Sequence, residues 1–578
     1  MITMPAETKI CQSCKTQFTI EPADFLFYEK MKVPAPTLCP DCRRQRRLAF
    51  RNEIFYYPNA CRNCGKAVVS IYSKNKERVV YCLECWNSDQ YNPLIYGREF
   101  DFSKTFTQQF GELLKVVPRV AMLNSRSENC EYTQFCADCK NCYMLIQSSN
   151  DEECYYSYGM QQSKDCIDTI FAHSSELCYE ATSIENCYGV RYSKNCENCN
   201  DGAFLVSCTG CTSCIGCVNL RNKKYCIFNV QKTKEEYEAF LKGARLDTWS
   251  GVEKMKKRFQ EFLIKQPRKF AEVSHAENST GNYLRRAKNA IHVFNGYDIE
   301  NVKYGESVLR NVKDCMDVAS CLRDSELVYE SFNTSVNAYN DRFCSTCRIN
   351  NTNLTYCDHC IGSNESFGCV GLKQNEFCIL NRQYPKEEYL ALKDNIIAHM
   401  QKTGEWGMFF NPALSSFGYN ETNAQEWYPF TKEQALSQGF LWEDTMCATV
   451  GKETMKMDAL PDCIDQVSDS ILNEVLACQC NTCELHEQKA CGRNYKIIKQ
   501  ELLFYKKHKI PIPRQCFMCR HFSRLRDHGP YRLWSRQCMC DRQAHGHSAR
   551  CPNNFETTYS PERREIVYCE ACYNAEVI

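Results

Sequence analysis

Pairs of cysteines separated by two residues recur at both ends of this chain and limit what it can fold into. Cys11 with Cys14, Cys39 with Cys42, Cys61 with Cys64 and Cys82 with Cys85 form two successive sets of four, and Cys516 with Cys519 and Cys569 with Cys572 repeat the theme near the other terminus. Tetrahedral zinc takes four soft ligands at about 2.3 Å, and a Cys-x-x-Cys turn presents two thiolates from one tight knuckle, so two knuckles close a site. The alternative use of cysteine, disulfide stapling, belongs to short secreted domains. This chain has 44 cysteines in 578 residues. Its first ten residues carry neither the basic stretch nor the apolar stretch of a secretory leader, and no run of about 18 apolar residues occurs. The expectation is a soluble, reduced, cytoplasmic protein of about four domains that binds zinc and has no membrane contact.

Two nested duplications organise the text. Cys14, Cys39, Cys42 and Cys61 recur 477 residues later as Cys491, Cys516, Cys519 and Cys538, with Phe27-Tyr28 returning as Phe504-Tyr505. After a ten-residue insertion, Cys64, Cys82 and Cys85 correspond to Cys551, Cys569 and Cys572. Between these modules, the stretch from Cys217 to Cys226 reappears from Cys369 to Cys378, and each copy runs into Lys-Glu-Glu-Tyr and a helix. Thr233 with Glu236 predicts a capping box, Pro385 suits a first helical turn, and Thr431 to Gln434 predicts another helix start. The basic run Lys254, Lys256, Lys257, Arg258, Lys265, Arg268 and Lys269 reads as a solvated helix face. An aromatic, Gly- and Pro-rich segment over about 403 to 445 reads as irregular chain packed on its neighbours.

The segment Cys11-Gln-Ser-Cys14, Phe27-Tyr28, then Pro36-Thr-Leu-Cys39-Pro-Asp-Cys42-Arg43 resembles a small bacterial zinc-finger family, a zinc-ribbon domain of treble-clef type. The resemblance covers about residues 8 to 50 and, less closely, 488 to 528. It implies that Cys11, Cys14, Cys39 and Cys42 share one zinc, with the first knuckle on a β-hairpin and the second opening a short helix, and it brings no biochemical activity. The second copy departs from the pattern. Gln488 stands where Cys11 would repeat, so Cys483 or His486 is expected as substitute ligand, or else the site is three-coordinate or lost. The insertion adds Cys540, His545 and His547, which extend the site, supply a different fourth ligand, or form a polar loop.

In the middle, cysteines step by 12 from Cys130 and Cys142 through Cys154, Cys166 and Cys178, then by 9 through Cys187 and Cys196, with a shift of three at Cys199. Regular steps with Asn or Asp before the cysteine fit a β-solenoid or stacked short hairpins, each rung repeating one turn and one inward position. The internal duplication replaces Cys178 by Val328 and Cys187 by Ala338, residues that cannot ligate metal, so these thiols read as compact core. Cys196, Cys199, Cys208 and Cys211 persist as Cys344, Cys347, Cys357 and Cys360 and stand as two further candidate zinc sets. Cys447 and Cys463 fit no motif and read as buried thiols.

The fold expected is mainly β, with small α+β zinc modules at both termini flanking two β-solenoid-like cysteine-rich repeat domains. The boundaries are 1–100 and 476–578 for the modules, 126–232 and 281–384 for the repeats, and 233–280 and 385–445 for the connectors. About four zinc ions are expected, six if the two repeat-domain sets also bind. No nucleophile elbow, P-loop, dinucleotide fingerprint or zinc-protease motif occurs, so no enzyme and no small-molecule substrate is expected.

Formal net charge is +1, and four-thiolate zinc sites carry about −2 each, which would bring the holoprotein to about −7. Nucleic-acid contact must then be local. Arg43, Arg44, Arg46 and Arg47 follow one knuckle, and Arg520, Arg524 and Arg526 follow its counterpart, spaced so that guanidinium pairs share a helix face suited to phosphate. Tyr56, Tyr57, Tyr531 and Trp534 lie nearby as candidate base-stacking groups. Binding of nucleic acid, RNA in preference to duplex DNA, is the first functional expectation. A protein-interaction scaffold with purely structural zinc is the second, and zinc storage or thiol-redox chemistry the third.

Overall fold

The computed structural model describes residues 5–309, 315–318, 329–330, 339–445, 451–480 and 491–577. The fold is mixed, with short helices and many small sheets arranged around two stacks of chain turns and four cysteine clusters.

The first stack begins at Asn124 and is built on a three-residue unit. Its first residue bridges a partner 12 residues on in parallel register, as in Glu128 to Lys140, Gln134 to Ile146 and Ala137 to Ser149. Its second residue is left-handed, as at Asn129, Tyr132, Phe135, Asp138 and Asn141, with φ between 50° and 57°. Its third points inward and is buried, as at Cys136, Cys139, Cys142, Leu145 and Ser148. Each 12-residue turn therefore has four sides. Asn and Asp tolerate the left-handed region because their short side chains bond locally, which is why Asn129, Asn141, Asp165, Asn186 and Asn195 precede cysteines and all have positive φ. The cysteine steps of 12 and 9 and the shift at Cys199 are all multiples of three. The expected slip of register is thus absent, and every thiol in the series stays on the inward position.

Backbone satisfaction explains the choice of inward residue. N–H groups of the first two residues of a unit bond to carbonyls of neighbouring turns, such as Gln134 N to Leu145 O at 3.1 Å and Asn141 N to Glu128 O at 2.9 Å. Inward N–H groups are taken instead by small polar side chains one turn earlier at several positions: Met160 N donates to Ser148 Oγ, Thr169 N to Ser157 Oγ and Asn229 N to Cys217 Sγ. Thiols in turn donate to carbonyls. Cys154 Sγ lies 3.4 Å from Glu152 O and 3.6 Å from Ser163 O, and Cys166 repeats this with Lys164 O and Ser175 O.

The second stack runs from Val273 with the same logic. Its turns are 12 residues at Ile291 to Lys303, 13 at Lys303 to Met316, and 12 again at Asp358 to Val370. Val328 and Ala338 lie outside the described residues. Both stacks end in a short antiparallel hairpin, Cys226–Ile227 with Val230–Gln231 and Glu376–Ile379 with Arg382–Gln383. A helix follows each. The predicted capping box forms at Thr233, whose hydroxyl accepts from Glu236 N, and Thr431 does the same with Gln434 N. Pro385 sits one residue earlier than expected, as the cap of Lys386–Lys402. The helix Trp249–Leu263 buries Val252, Met255 and Phe259 and exposes Lys254, Lys257 and Arg258. Phe409, Phe410, Phe417 and Tyr419 of the aromatic connector are buried. Cys447 lies outside the described residues. Cys463 is half-buried, with its thiol on the Asp247 carboxylate at 3.4 Å.

Candidate metal centres

Four modules share one local design, a two-stranded hairpin whose turn carries two cysteines and a helix whose start carries two more. In the first, the hairpin Glu7–Ile10 with Gln17–Ile20 holds Cys11 and Cys14, and Cys39 caps the helix Pro40–Leu48. In the second, Tyr57–Ala60 with Ala67–Ser70 holds Cys61 and Cys64, and Cys82 caps Leu83–Asn87. The third uses Leu476–Ala477 with Asn494–Tyr495 and the helix Phe517–His528, the fourth Trp534–Gln537 with Asn554–Thr557 and the helix Glu570–Val577.

The sulfurs gather as Cys11, Cys14, Cys39 and Cys42; Cys61, Cys64, Cys82 and Cys85; Cys478, Cys491, Cys516 and Cys519; and Cys538, Cys551, Cys569 and Cys572, each group within 4.8 Å. A tetrahedron with metal–sulfur bonds of about 2.3 Å has edges of about 3.8 Å. The separations match: 3.7 Å for Cys14 to Cys39, 3.8 Å for Cys64 to Cys82, 3.8 Å for Cys491 to Cys516 and 3.9 Å for Cys551 to Cys569. Backbone N–H groups also aim at the sulfurs, from Cys39 to Cys11, Cys85 to Cys82, Cys516 to Cys478 and Cys569 to Cys538. Such donors favour thiolate. The S–H of Cys42 and other local donors lower Cys39 to about 5. At Cys61, burial raises the thiol, but the N–H groups of Cys64, Cys82 and Asn63 outweigh it and bring it to about 6. The donor sets fit a divalent soft metal, zinc above others.

The ligand opposite Cys491 is Cys478. Cys483 and His486, the substitutes expected from sequence, lie outside the described residues. Cys478 follows its strand as Cys11 does, and Cys478 N bonds Arg493 O across the hairpin. The third module thus has its own ten-residue insertion between the knuckle cysteines, matching the insertion between Cys538 and Cys551. In that fourth module, Cys540, His545, His547 and Cys572 form a further metal-sized group.

The two repeat-domain sets do not assemble. Among the described residues, neither Cys196, Cys199, Cys208 and Cys211 nor Cys344, Cys347, Cys357 and Cys360 forms a metal-sized group. They occupy inward positions, where thiols donate to carbonyls: Cys199 to Cys208 O at 3.4 Å, Cys208 to Cys217 O at 3.6 Å and Cys357 to Ser366 O at 3.5 Å. Burial pushes Cys196 well above the usual thiol range and Cys344 up to about 11, whereas the thiols of Cys199, Cys208 and Cys214 hold Cys211 well below it, and at Cys357 burial is outweighed in the same direction by those of Cys360 and Cys369.

The arginines expected to face phosphate are turned inward instead. Arg43, Arg44 and Arg47 are at most 2% exposed. Arg43 Nε lies 2.6 Å from Asp317 Oδ2, Arg44 Nε 3.1 Å from Glu306 Oε2, and Arg47 3.6 Å from both carboxylates. Arg46 is half-buried and donates to Phe410 O. In the counterpart helix, Arg520 and Arg524 pair with Asp168 at 3.2 and 2.8 Å, and Arg526 alone of the set is exposed. Of the aromatic groups proposed for base stacking, Tyr57 is buried with its hydroxyl on Glu421, and Tyr531 is buried against Trp427. Tyr56 and Trp534 are half-buried.

These contacts are crossed. Asp317 and Asp168 occupy equivalent turns of the two stacks, so the N-terminal module docks on the second stack and the C-terminal module on the first. Tyr28 meets Tyr329 at 5.5 Å between ring centroids, and its counterpart Tyr505 meets Tyr179 at 5.7 Å. Each module reaches the other stack as well. Val80–Tyr81 pairs with Arg119–Val120, just before the first stack, and Val567–Tyr568 pairs with Arg268–Lys269, just before the second.

Among the described residues no helix is long and apolar enough to cross a membrane. No protein-family profile matches the chain, and no curated protein does. A crystal structure of a protein assigned as an acetyltransferase, from Desulfovibrio desulfuricans G20, aligns at 11% identity over 42% of this chain and 59% of its own, under two thirds of its length; its TM-score of 0.09 carries no argument.

Proposed function

We propose that the chain is a non-enzymatic, zinc-stapled scaffold of the cytoplasm, in which treble-clef-type modules clamp two β-solenoids that present their outer faces to a protein partner. The inward turn of both arginine helices carries this reading, because guanidinium groups engaged with buried carboxylates cannot also bind phosphate without breaking the dock. The outer face of the first stack adds support. Glu128, Lys140, Glu152, Lys164 and Glu176 succeed one another at the same position of successive turns, an alternating ladder with no net basic field of the kind nucleic acid selects. Closed four-thiolate sites leave no open coordination position for catalysis, and inward thiols buried away from solvent favour neither zinc storage nor redox exchange.

The test is retention of the full chain on RNA and on heparin at low salt, with zinc counted in the same preparation. The scaffold reading expects no salt-sensitive retention and at least four zinc ions released by chelator. Salt-sensitive RNA binding would overturn it in favour of RNA contact through the exposed Lys254, Lys257, Arg258 and Arg526.

A further inference from the structure

The fourth module differs from the second, its counterpart, by the inserted loop between Cys538 and Cys551, and that loop brings Cys540, His545 and His547 to within 4.8 Å of Cys572. Cys572 is also one corner of the four-cysteine cluster. A zinc tetrahedron with mixed sulfur and imidazole ligands has sulfur–nitrogen edges of about 3.6 Å. His545 Nδ1 lies 3.2 Å from Cys540 Sγ, and His547 Nε2 lies 3.5 Å from Cys572 Sγ.

The other nitrogen of each ring is held from behind. His547 Nδ1 lies 2.6 Å from the carbonyl of Ala549, which fixes the proton there and leaves the Nε2 lone pair facing Cys572. His545 Nε2 faces the Glu576 carboxylate at 3.5 Å, and Arg542 holds the same carboxylate at 2.8 Å. A proton on Nε2 faces this carboxylate, which leaves Nδ1 to ligate. Carboxylate and carbonyl groups behind the distal nitrogen are the usual support of a metal-bound histidine. Cys540 is fully buried and the His545 side chain is 7% exposed, so the group is preorganised.

We propose that this module holds two zinc ions bridged by the Cys572 thiolate: one bound by Cys538, Cys551, Cys569 and Cys572, the other by Cys540, His545, His547 and Cys572. The proposal rests on the zinc reading of the four-cysteine clusters. It makes the centre less negative, because two divalent ions against five thiolates leave about −1 where one ion with four thiolates leaves about −2. Sharing a thiolate also couples the sites, since losing either ion exposes the other's bridging ligand.

The test compares zinc content, by native mass spectrometry, of the full chain and of the variant carrying His545→Ala and His547→Ala. The variant is expected to carry one zinc fewer with unchanged circular dichroism. An equal count overturns the second ion while leaving the four-cysteine sites in place. Fewer than four zinc ions in the unaltered chain removes the zinc reading itself. Should the variant fail to fold, cadmium NMR of the unaltered, cadmium-loaded chain decides: two resonances coupled through the bridging sulfur are expected, and a fully loaded spectrum without such coupling overturns the bridge.

Discussion

An inward thiol in the stacked turns has a polar duty inside an apolar position. Cys178 is fully buried, and its S–H points at Glu176 O at 3.3 Å, with Cys187 O further off at 3.8 Å. Serine does the same at Ser163 and Ser175, which also accept inward N–H groups from the next turn. Cys178→Ser is therefore expected to shift stability in urea by under about 1 kcal/mol, and Cys178→Ala to cost about 1 kcal/mol for the lost donor. Cys178→Leu should cost about 1–3 kcal/mol by overpacking. Asp151 is the carboxylate among these positions in the first stack. Burial raises it to about 8, against which the Ser163 N–H it accepts is a smaller effect. A carboxyl raised in the folded state keeps its proton when the unfolded chain has lost it, so stability should fall as pH rises from about 4 to about 8. Asp151→Asn is expected to flatten that part of the stability–pH curve and to raise stability at pH 8; a parallel curve would show that Asp151 does not contribute.

At the scale of elements, the knuckles and the capped helices were legible because their signals are local. Residues three apart in a Cys-x-x-Cys turn, or Thr233 with Glu236, see each other through the same few bonds in any context. Cys478 was readable too, since it precedes Cys491 by the same 13 residues that separate Cys538 from Cys551, but Gln488 at the aligned position drew attention to the wrong stretch. The three-residue period was hidden because only some inward positions are cysteine, and the intervening Ser, Ala, Val and Leu do not look alike in sequence. The fate of the arginines was not legible at all. Their counter-charges lie 274 residues away for Arg43 and 356 for Arg524, and a guanidinium pair on a helix looks the same whether it faces phosphate or a buried carboxylate. The dock makes a sharp prediction. Asp168→Ala leaves Arg524 buried without its carboxylate and Arg520 with only Glu501 at 3.7 Å, and should cost about 3–5 kcal/mol in chemical unfolding, whereas replacing both arginines, Asp168 and Glu501 by apolar residues of similar volume should recover most of that loss.

Across the whole molecule, the crossed contacts tie the stability of each stack to the module distant from it in sequence. The helix Phe517–His528 begins at a cluster cysteine and lays Arg520, Arg524 and Phe517 on the first stack, with Phe517 meeting Tyr156 at 5.6 Å. Removing metal from that cluster with Cys516→Ala and Cys519→Ala should therefore raise hydrogen exchange in Tyr155–Tyr158 and Ile170–His173 more than in Asn364–Phe367. The pair Cys39→Ala and Cys42→Ala should reverse the pattern. Equal effects on both stacks would mean that the modules unfold independently of what they clamp.

The crossed arrangement also orders events during synthesis. The first stack can begin to grow turn upon turn as it leaves the ribosome, because each turn offers side-chain acceptors to the next, although Asp168 must wait for Arg520 and Arg524. The N-terminal module can close around its own cysteines just as early. Its arginines, however, are made long before Glu306 and Asp317 exist. For that interval three guanidinium groups destined for the interior remain in water, and the chain carries at its leading end a cationic helix that disappears from the surface only when the second stack arrives to cover it.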